Sequence, residues 1–164
     1  MVNKNIIFEK TEKELETNQL TVVSKDNHSP WGGFFVISEH QAQEFANYYF
    51  KDLDVSRLKI AGKLSPKILI VAPGKRLSWQ YHHRRAEIWR VIQGQAGVKR
   101  SPNDTEGALE ILNIGDTITL QQGERHRLIG LDEYAVIAEI WQHTDANHPS
   151  DEDDIVRVQD DFGR

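Results

Sequence analysis

The stretch Pro73-Gly74-Lys75-Arg76-Leu77-Ser78-Trp79-Gln80-Tyr81-His82-His83-Arg84-Arg85-Ala86-Glu87, running on to Gly94, decides how this chain is read. In an extended strand alternate side chains share a face, so Gln80 and His82 point the same way. A tight turn through His83 to Ala86 is expected to return the chain antiparallel and set Glu87 opposite His82. Further on, Gly115 and then Gly123-Glu124-Arg125-His126 place another imidazole just after a turn, at the start of a strand. A neutral imidazole nitrogen, a carboxylate and an amide oxygen together suit a divalent ion such as zinc, with positions left for water or substrate. Each residue alone would more often be structural or solvated, and it is the joint spacing that makes Gln80, His82, Glu87 and His126 candidate metal ligands. By strand alternation His83 faces away from such a metal and supports the ligand loop. His28, His40, His143 and His148 have no partner at ligand spacing and read as solvated loop histidines.

Outward from this stretch, short β-type runs recur at roughly ten-residue intervals, the pattern of an antiparallel sandwich or barrel. They are Leu20 to Ser24, Gly33 to Ile37, Lys67 to Ala72, Leu77 to His82, Glu87 to Gln93, Gly97 to Arg100, Leu109 to Leu112, Asp116 to Leu120, Arg125 to Ile129 and Tyr134 to Gln142. Pro73-Gly74, Gln93-Gly94, Pro102-Asn103-Asp104, Gly115 and Gln122-Gly123 punctuate them as turns. Ser38 to Phe50 breaks the pattern: Phe45, Tyr48 and Tyr49 recur at helical spacing, with Ser38 and Gln41 as a capping box. A second helical turn is expected over Asp54 to Ala61, giving a helical insertion near residues 38–61 whose aromatics pack as core. Residues 1–19 are charged and read as an N-terminal arm or edge strand, docked by Ile6, Ile7 and Phe8. Trp79, Trp89 and Trp141 read as core aromatics rather than sugar-stacking platforms.

The 164 residues accommodate one domain, with residues 63–142 as the metal-binding core and 151–164 as a C-terminal segment. A net charge of −5 disfavours nucleic acid and anionic membrane as partners. The absence of cysteine removes thiolate ligands, disulfides and cysteine nucleophiles, so any metal must be held by histidine, carboxylate or amide oxygen. No apolar run reaches the length of a signal peptide core or a membrane span, which makes cytoplasm the expected compartment.

The two ligand blocks resemble the two motifs of the cupin superfamily: glycine, His-x-His, glutamate and glycine, then a glycine-bounded block ending in histidine. Three positions depart from that pattern. Gln80 stands at the first histidine, Gln121 at a proline and Gly130 at an asparagine. The fold this resemblance implies is all-β: a jelly-roll, or double-stranded β-helix, barrel. A narrower likeness explains Gln80. PGKRLSWQYHHRRAEIWRV is similar to the core of the type II phosphomannose isomerase domain, where glutamine characteristically replaces that histidine and a doubled histidine and arginine follow. The terminal run DEDDIVRVQDDFGR, Asp151 to Arg164, matches the same family's closing signature, and Ser29-Pro30-Trp31-Gly32-Gly33 resembles its entry. Many members join this domain to a sugar nucleotidyltransferase. No glycine-rich nucleotide loop occurs here, so guanylyltransferase activity is not carried over. EIWQHTDANHPS, from Glu139 to Ser150, also departs from the family.

The resemblance implies a metal-dependent isomerase converting mannose 6-phosphate to fructose 6-phosphate, a small sugar phosphate being the partner molecule. Such chemistry needs a carbonyl polariser, a proton-transfer group and a phosphate anchor. The bound metal, zinc in the first instance, would be the polariser. Glu139, Asp154 and a metal-bound water are the candidates for moving the proton. Lys75, Arg76, Arg84, Arg85 and Arg157 are the candidate cations for substrate, because a guanidinium fork matches two phosphate oxygens. Three readings compete: an isomerase for another sugar phosphate, a non-haem metal oxygenase built on His82, Glu87 and His126, and a non-catalytic sugar-binding or regulatory cupin. By analogy with other barrels of this class, a homodimer is expected, bridged by the N-terminal arm.

Overall fold

The computed structural model describes residues 2–164, so of the expected arm over 1–19 residue 1 lies outside the described residues. Two antiparallel sheets face one another as the jelly-roll barrel of a cupin. The strands are β1 Val22–Asp26, β2 Gly32–Ile37, β3 Lys67–Val71, β4 Trp79–Tyr81, β5 Arg85–Gln93, β6 Ala96–Ser101, β7 Glu110–Leu112, β8 Thr117–Leu120, β9 Arg125–Gly130, β10 Ala135–His143 and β11 Val156–Gln159. One sheet runs β1-β2-β3-β10-β5-β8 and the other β11-β4-β9-β6-β7. All ten runs read from the sequence are strands. The eleventh lies in the terminal segment, where an exposed, charged four-residue stretch carries little apolar alternation.

Alternation divides the six-stranded sheet into two faces. Ile68, Ile70, Ile88, Val136, Ala138 and Ile140 turn outward into a core completed by helices α1 (Lys4–Thr17) and α2 (Ala42–Tyr49). Leu69, Val71, Trp89, Val91, Ala135 and Ile137 turn inward against Ala96, Val98 and Leu128 of the facing sheet. The polar positions Lys67, Glu87 and Glu139 belong to this inward set. They line a cavity at one end of the barrel, and that is where the chemistry is placed.

The N-terminal segment is a helix, not an arm or edge strand. Asn3 caps it by accepting from the Ile6 amide at 3.0 Å, and Ile7, Phe8, Thr11 and Leu15 form its buried stripe. Thr11 hides that stripe from a hydrophobicity reading; its hydroxyl is satisfied by the Ile7 carbonyl at 2.7 Å. Burying Ile7, Phe8 and Leu15 contributes roughly 5–9 kcal/mol of transfer free energy. Ile7 and Phe8 dock the segment as expected, whereas Ile6 is exposed.

The insertion is helical as expected, comprising Glu39–Gln41, α2, Val55–Arg57 and Ile60–Gly62, although all but α2 are single 3-10 turns. The capping box is absent. Ser38 makes no side-chain cap, and Gln41 instead bonds the Thr21 amide and the Gln19 carbonyl, tying the insertion to the approach to β1. Phe45 and Tyr49 are buried, whereas Tyr48 stays exposed. Among the described residues no helix is long and apolar enough to cross a membrane.

Candidate metal centre

The four ligand candidates converge, by a route other than the expected hairpin. β4 and β5 belong to different sheets, so residues 82–84 cross from one wall of the barrel to the other and Glu87 meets His82 across the interior. On the near wall Gln80 of β4 is the register partner of His126 of β9. Gly123 makes the turn that delivers His126, with a positive φ of 78° and its amide donating to the His82 carbonyl at 3.0 Å. The Gly130 departure also has a steric cause, because a Cβ there would lie 1.9 Å from the Ala72 carbonyl oxygen.

His82, Glu87 and His126 are each at most 2% exposed, and their ligand atoms all lie within 4.8 Å of one another. Glu87 Oε2 is 3.3 Å from His82 Nε2, and Oε1 is 3.3 Å from His126 Nε2. Each imidazole is oriented from behind. His82 Nδ1 donates to the Asp154 carbonyl at 2.7 Å and His126 Nδ1 to the Glu124 carbonyl at 3.0 Å. That fixes the tautomer in which both Nε2 atoms present lone pairs to the centre. Two imidazole lone pairs then face a carboxylate, and although Arg85 Nη2 and Gln80 Nε2 each reach His82 Nε2 at 3.4 Å, His126 Nε2 and Glu87 Oε1 remain two facing acceptors that a cation would satisfy. Consistently, Glu87 Oε1 and His126 Nε2 are buried without a hydrogen-bond partner among the described residues. The donor set fits a divalent metal with two imidazoles and one carboxylate. Burial alone would raise the Glu87 carboxyl, but the Arg85 guanidinium beside it holds it well below the usual carboxylate range.

Gln80 sits beside this triad with its amide turned. Its Oε1 accepts from the Ser78 hydroxyl at 2.5 Å, and its Nε2 lies 3.4 Å from His82 Nε2. Rotating the amide half a turn presents the oxygen to the centre, and Ser78 can then accept from the nitrogen.

The expected substrate cations separate sharply. Arg85 is 5% exposed and lines the cavity, but its donors are engaged: Nε on Glu87 Oε2 and Nη1 on Ser150 Oγ and the Asp151 carbonyl, each at 2.9 Å, and Nη2 toward His82 Nε2 at 3.4 Å, with its guanidinium carbon 3.5 Å from the Trp141 ring centroid. It orients Glu87 and is not a phosphate anchor. Lys75 lies at the opposite end of the barrel, along a groove beside α1. Arg76 forms a two-pronged ion pair with Asp161 at 2.6 and 3.0 Å, away from the cavity. Arg84 faces Asp151 and Asp154 instead. Arg157 does line the cavity. It is the register partner of Gln80 across β11 and β4, and it has no side-chain partner among the described residues.

Asp154 is displaced from the role of base. Its side chain is wholly buried and accepts from the backbone amides of His83 and Arg84, both at 2.9 Å, and from Ser150 Oγ at 2.6 Å. Burial would raise this carboxyl, but those hydrogen bonds pull it down to about 2. It therefore clamps the turn that carries His82. The linkage has a definite sign: a depressed carboxyl adds stability above its unfolded value of 3.8, and that stability is lost as pH falls toward 2. Asp154→Asn is accordingly expected to cost about 2 kcal/mol at pH 7 and to flatten the acid limb of the stability profile, measured by urea unfolding between pH 3 and 7.

His143 also departs from expectation. It is fully buried rather than solvated, linked to Ser65 Oγ at 3.0 Å and accepting from the Ser150 amide at 2.9 Å. His83 faces off the centre as expected, edge-on to Tyr81. Glu139 lies in the cavity wall with its oxygens on the indole nitrogens of Trp89 at 2.8 Å and Trp141 at 3.2 Å. Burial, and then the nearby Glu87 charge, push its carboxyl up to about 8. Lys67 and Arg164 also line this cavity of about 160 Å³ and were not singled out from the sequence. Lys67 was legible in principle: in Lys-Ile-Leu-Ile-Val it shares a face with Leu69 and Val71, so alternation turns a cation inward.

A family model described as mannose-6-phosphate isomerase C-terminal matches residues 54–160. A mannose-1-phosphate guanylyltransferase, ManC, of Salmonella typhimurium is 34% identical over 103 residues, covering 60% of this chain and 19% of that protein. An alginate biosynthesis protein, AlgA, of Pseudomonas aeruginosa is 31% identical over 105 residues, covering 64% of this chain and 20% of that protein. The chain thus spans about a fifth of the length of these relatives. Among solved structures, an oxalate oxidase superposes with a TM-score of 0.54 at 16% identity, covering 81% of this chain and 58% of the other. The capsular polysaccharide assembling protein CapF of Staphylococcus aureus gives 0.54 at 15% identity, covering 85% and 34%. At these identities the likeness is one of fold alone.

Proposed function

The chain belongs to the mannose-6-phosphate isomerase C-terminal family, and from that membership we propose that it is a zinc-dependent isomerase interconverting mannose 6-phosphate and fructose 6-phosphate. The observation that carries this reading is the buried, convergent triad of His82, Glu87 and His126, set in a cavity that also holds Glu139 and Arg157. Zinc bound there would polarise the sugar carbonyl and stabilise the oxygen that becomes negative as the proton moves. Arg157, exposed beside Gln80 with its donors free among the described residues, attracts and orients the phosphoryl group. Glu139 is the group that moves the proton between adjacent sugar carbons. Its two indole donors fix the carboxyl plane, and because burial pushes the carboxyl up to about 8, the ionised form that accepts a proton is the minor one at neutral pH and grows as pH rises through that value. Trp31, Phe34 and Leu77 supply apolar wall that limits water around the reacting carbons.

The test is a coupled assay of mannose 6-phosphate turnover before and after chelation. Turnover that vanishes with the metal and returns with zinc supports the isomerase; saturable sugar binding without turnover points instead to a binding module. Glu139→Gln is expected to lower kcat by about 10²–10⁴-fold with KM little changed, and to remove the acid limb of the kcat profile. An unaltered kcat would remove Glu139 from the mechanism.

A further inference from the structure

One buried cation in the cavity has a partner that can leave. Lys67 is 9% exposed on the inner face of β3, its Nζ 4.4 Å from the Phe34 ring centroid. Its ion pair is with Glu152 at 3.0 Å, and the two side chains differ greatly in exposure, 11% for lysine against 68% for glutamate. The carboxyl opposite Lys67 on the barrel wall, that of its register partner Glu139, already has both oxygens on tryptophan indoles. A buried ammonium requires a counter-charge, and here the partner is a solvated side chain on the loop between β10 and β11. A glutamate so exposed gives up little by turning into water, because a pair of this kind is weak on the solvent side.

We propose that Lys67 is an anion anchor of the cavity and that Glu152 is its resting counter-ion, displaced when the phosphoryl group of a sugar phosphate enters. The inference rests on the sugar-phosphate reading above and adds a residue and a mechanism to it. A dianionic phosphoryl group brings more charge and more acceptor oxygens than the carboxylate it replaces, which favours the exchange. The exchange also confers selectivity, since a neutral sugar cannot compensate Lys67 once Glu152 has left. No bond is made or broken; one ion pair replaces another.

Titration calorimetry of the metal-loaded full chain with inorganic phosphate, and separately with mannose 6-phosphate, tests this. Glu152→Gln removes the competing charge at an exposed position and is expected to tighten phosphate binding by roughly three- to tenfold. Lys67→Met keeps the length of the side chain without its charge, and is expected to weaken binding by about tenfold or more at unchanged metal content. Unchanged phosphate affinity in Lys67→Met, or no tightening in Glu152→Gln, overturns the anchor. Turnover is read separately: a chain that binds phosphate through Lys67 but does not isomerise mannose 6-phosphate rejects the isomerase and keeps the anchor.

Discussion

Glu87→Gln protein purified in the presence of zinc is expected to retain no stoichiometric metal, with affinity reduced by more than about a hundredfold. That exceeds the 10–100-fold typical of losing a group that merely supports a ligand. The change is isosteric, so packing is preserved and the loss is one of charge. Glu87 faces both imidazoles at 3.3 Å and is the triad's anion, so without it two neutral nitrogens must hold a dication in a buried site. The amide also turns a hydrogen-bond donor toward lone pairs already fixed by the Asp154 and Glu124 carbonyls. Competition with a chromophoric chelator measures the effect. Affinity within threefold of wild type would remove Glu87 from the ligand set.

The second large effect is on stability. Arg85→Met is expected to destabilise the metal-free chain by about 3–5 kcal/mol, the cost of stripping a buried charge of its partner. At roughly 2–4 °C per kcal/mol for a chain of this size, the melting temperature falls by about 10 °C. Arg85 holds Glu87, Ser150 and the Asp151 carbonyl while stacking on Trp141, so its loss leaves an uncompensated carboxylate and a loosened terminal segment together. Zinc supplies positive charge at Glu87 by another route, and saturating zinc should recover part of the loss. Thermal unfolding with and without zinc checks both parts. A melting temperature unmoved by the substitution would mean that the arginine network contributes nothing measurable.

The sequence exposed those parts of the molecule whose physics is local. Strand alternation placed Gln80 beside His82, while turn residues and β-rich composition marked all ten of the expected strands, including β3, β5 and β10, which are buried on both faces and carry no period of two. The ligand set was legible because its spacing is fixed by short strands and turns. The crossing between sheets was not, since residues 82–84 could equally have closed a hairpin; only the pairing of β4 with β9 and β11, and of β5 with β8 and β10, decides it. α1 was missed because Thr11 interrupts its buried stripe. The arginines misled for a related reason. Arg84 and Arg85 are consecutive and chemically identical, yet one is partly exposed against Asp151 and Asp154 while the other is locked between Trp141 and Glu87. What separates them is the terminal segment folding back over β4, a contact between residues more than sixty positions apart. His143 and Asp154 were misjudged on the same account, both being claimed by Ser150.

Equilibrium dialysis of chelator-treated wild-type chain against zinc, with metal and protein determined on the same sample, tests the metal centre most directly. One zinc per chain is expected, lost when either His82 or His126 is replaced by alanine. A wild-type chain that takes up no divalent metal, or one whose uptake survives both replacements, would contradict the centre built on His82, Glu87 and His126.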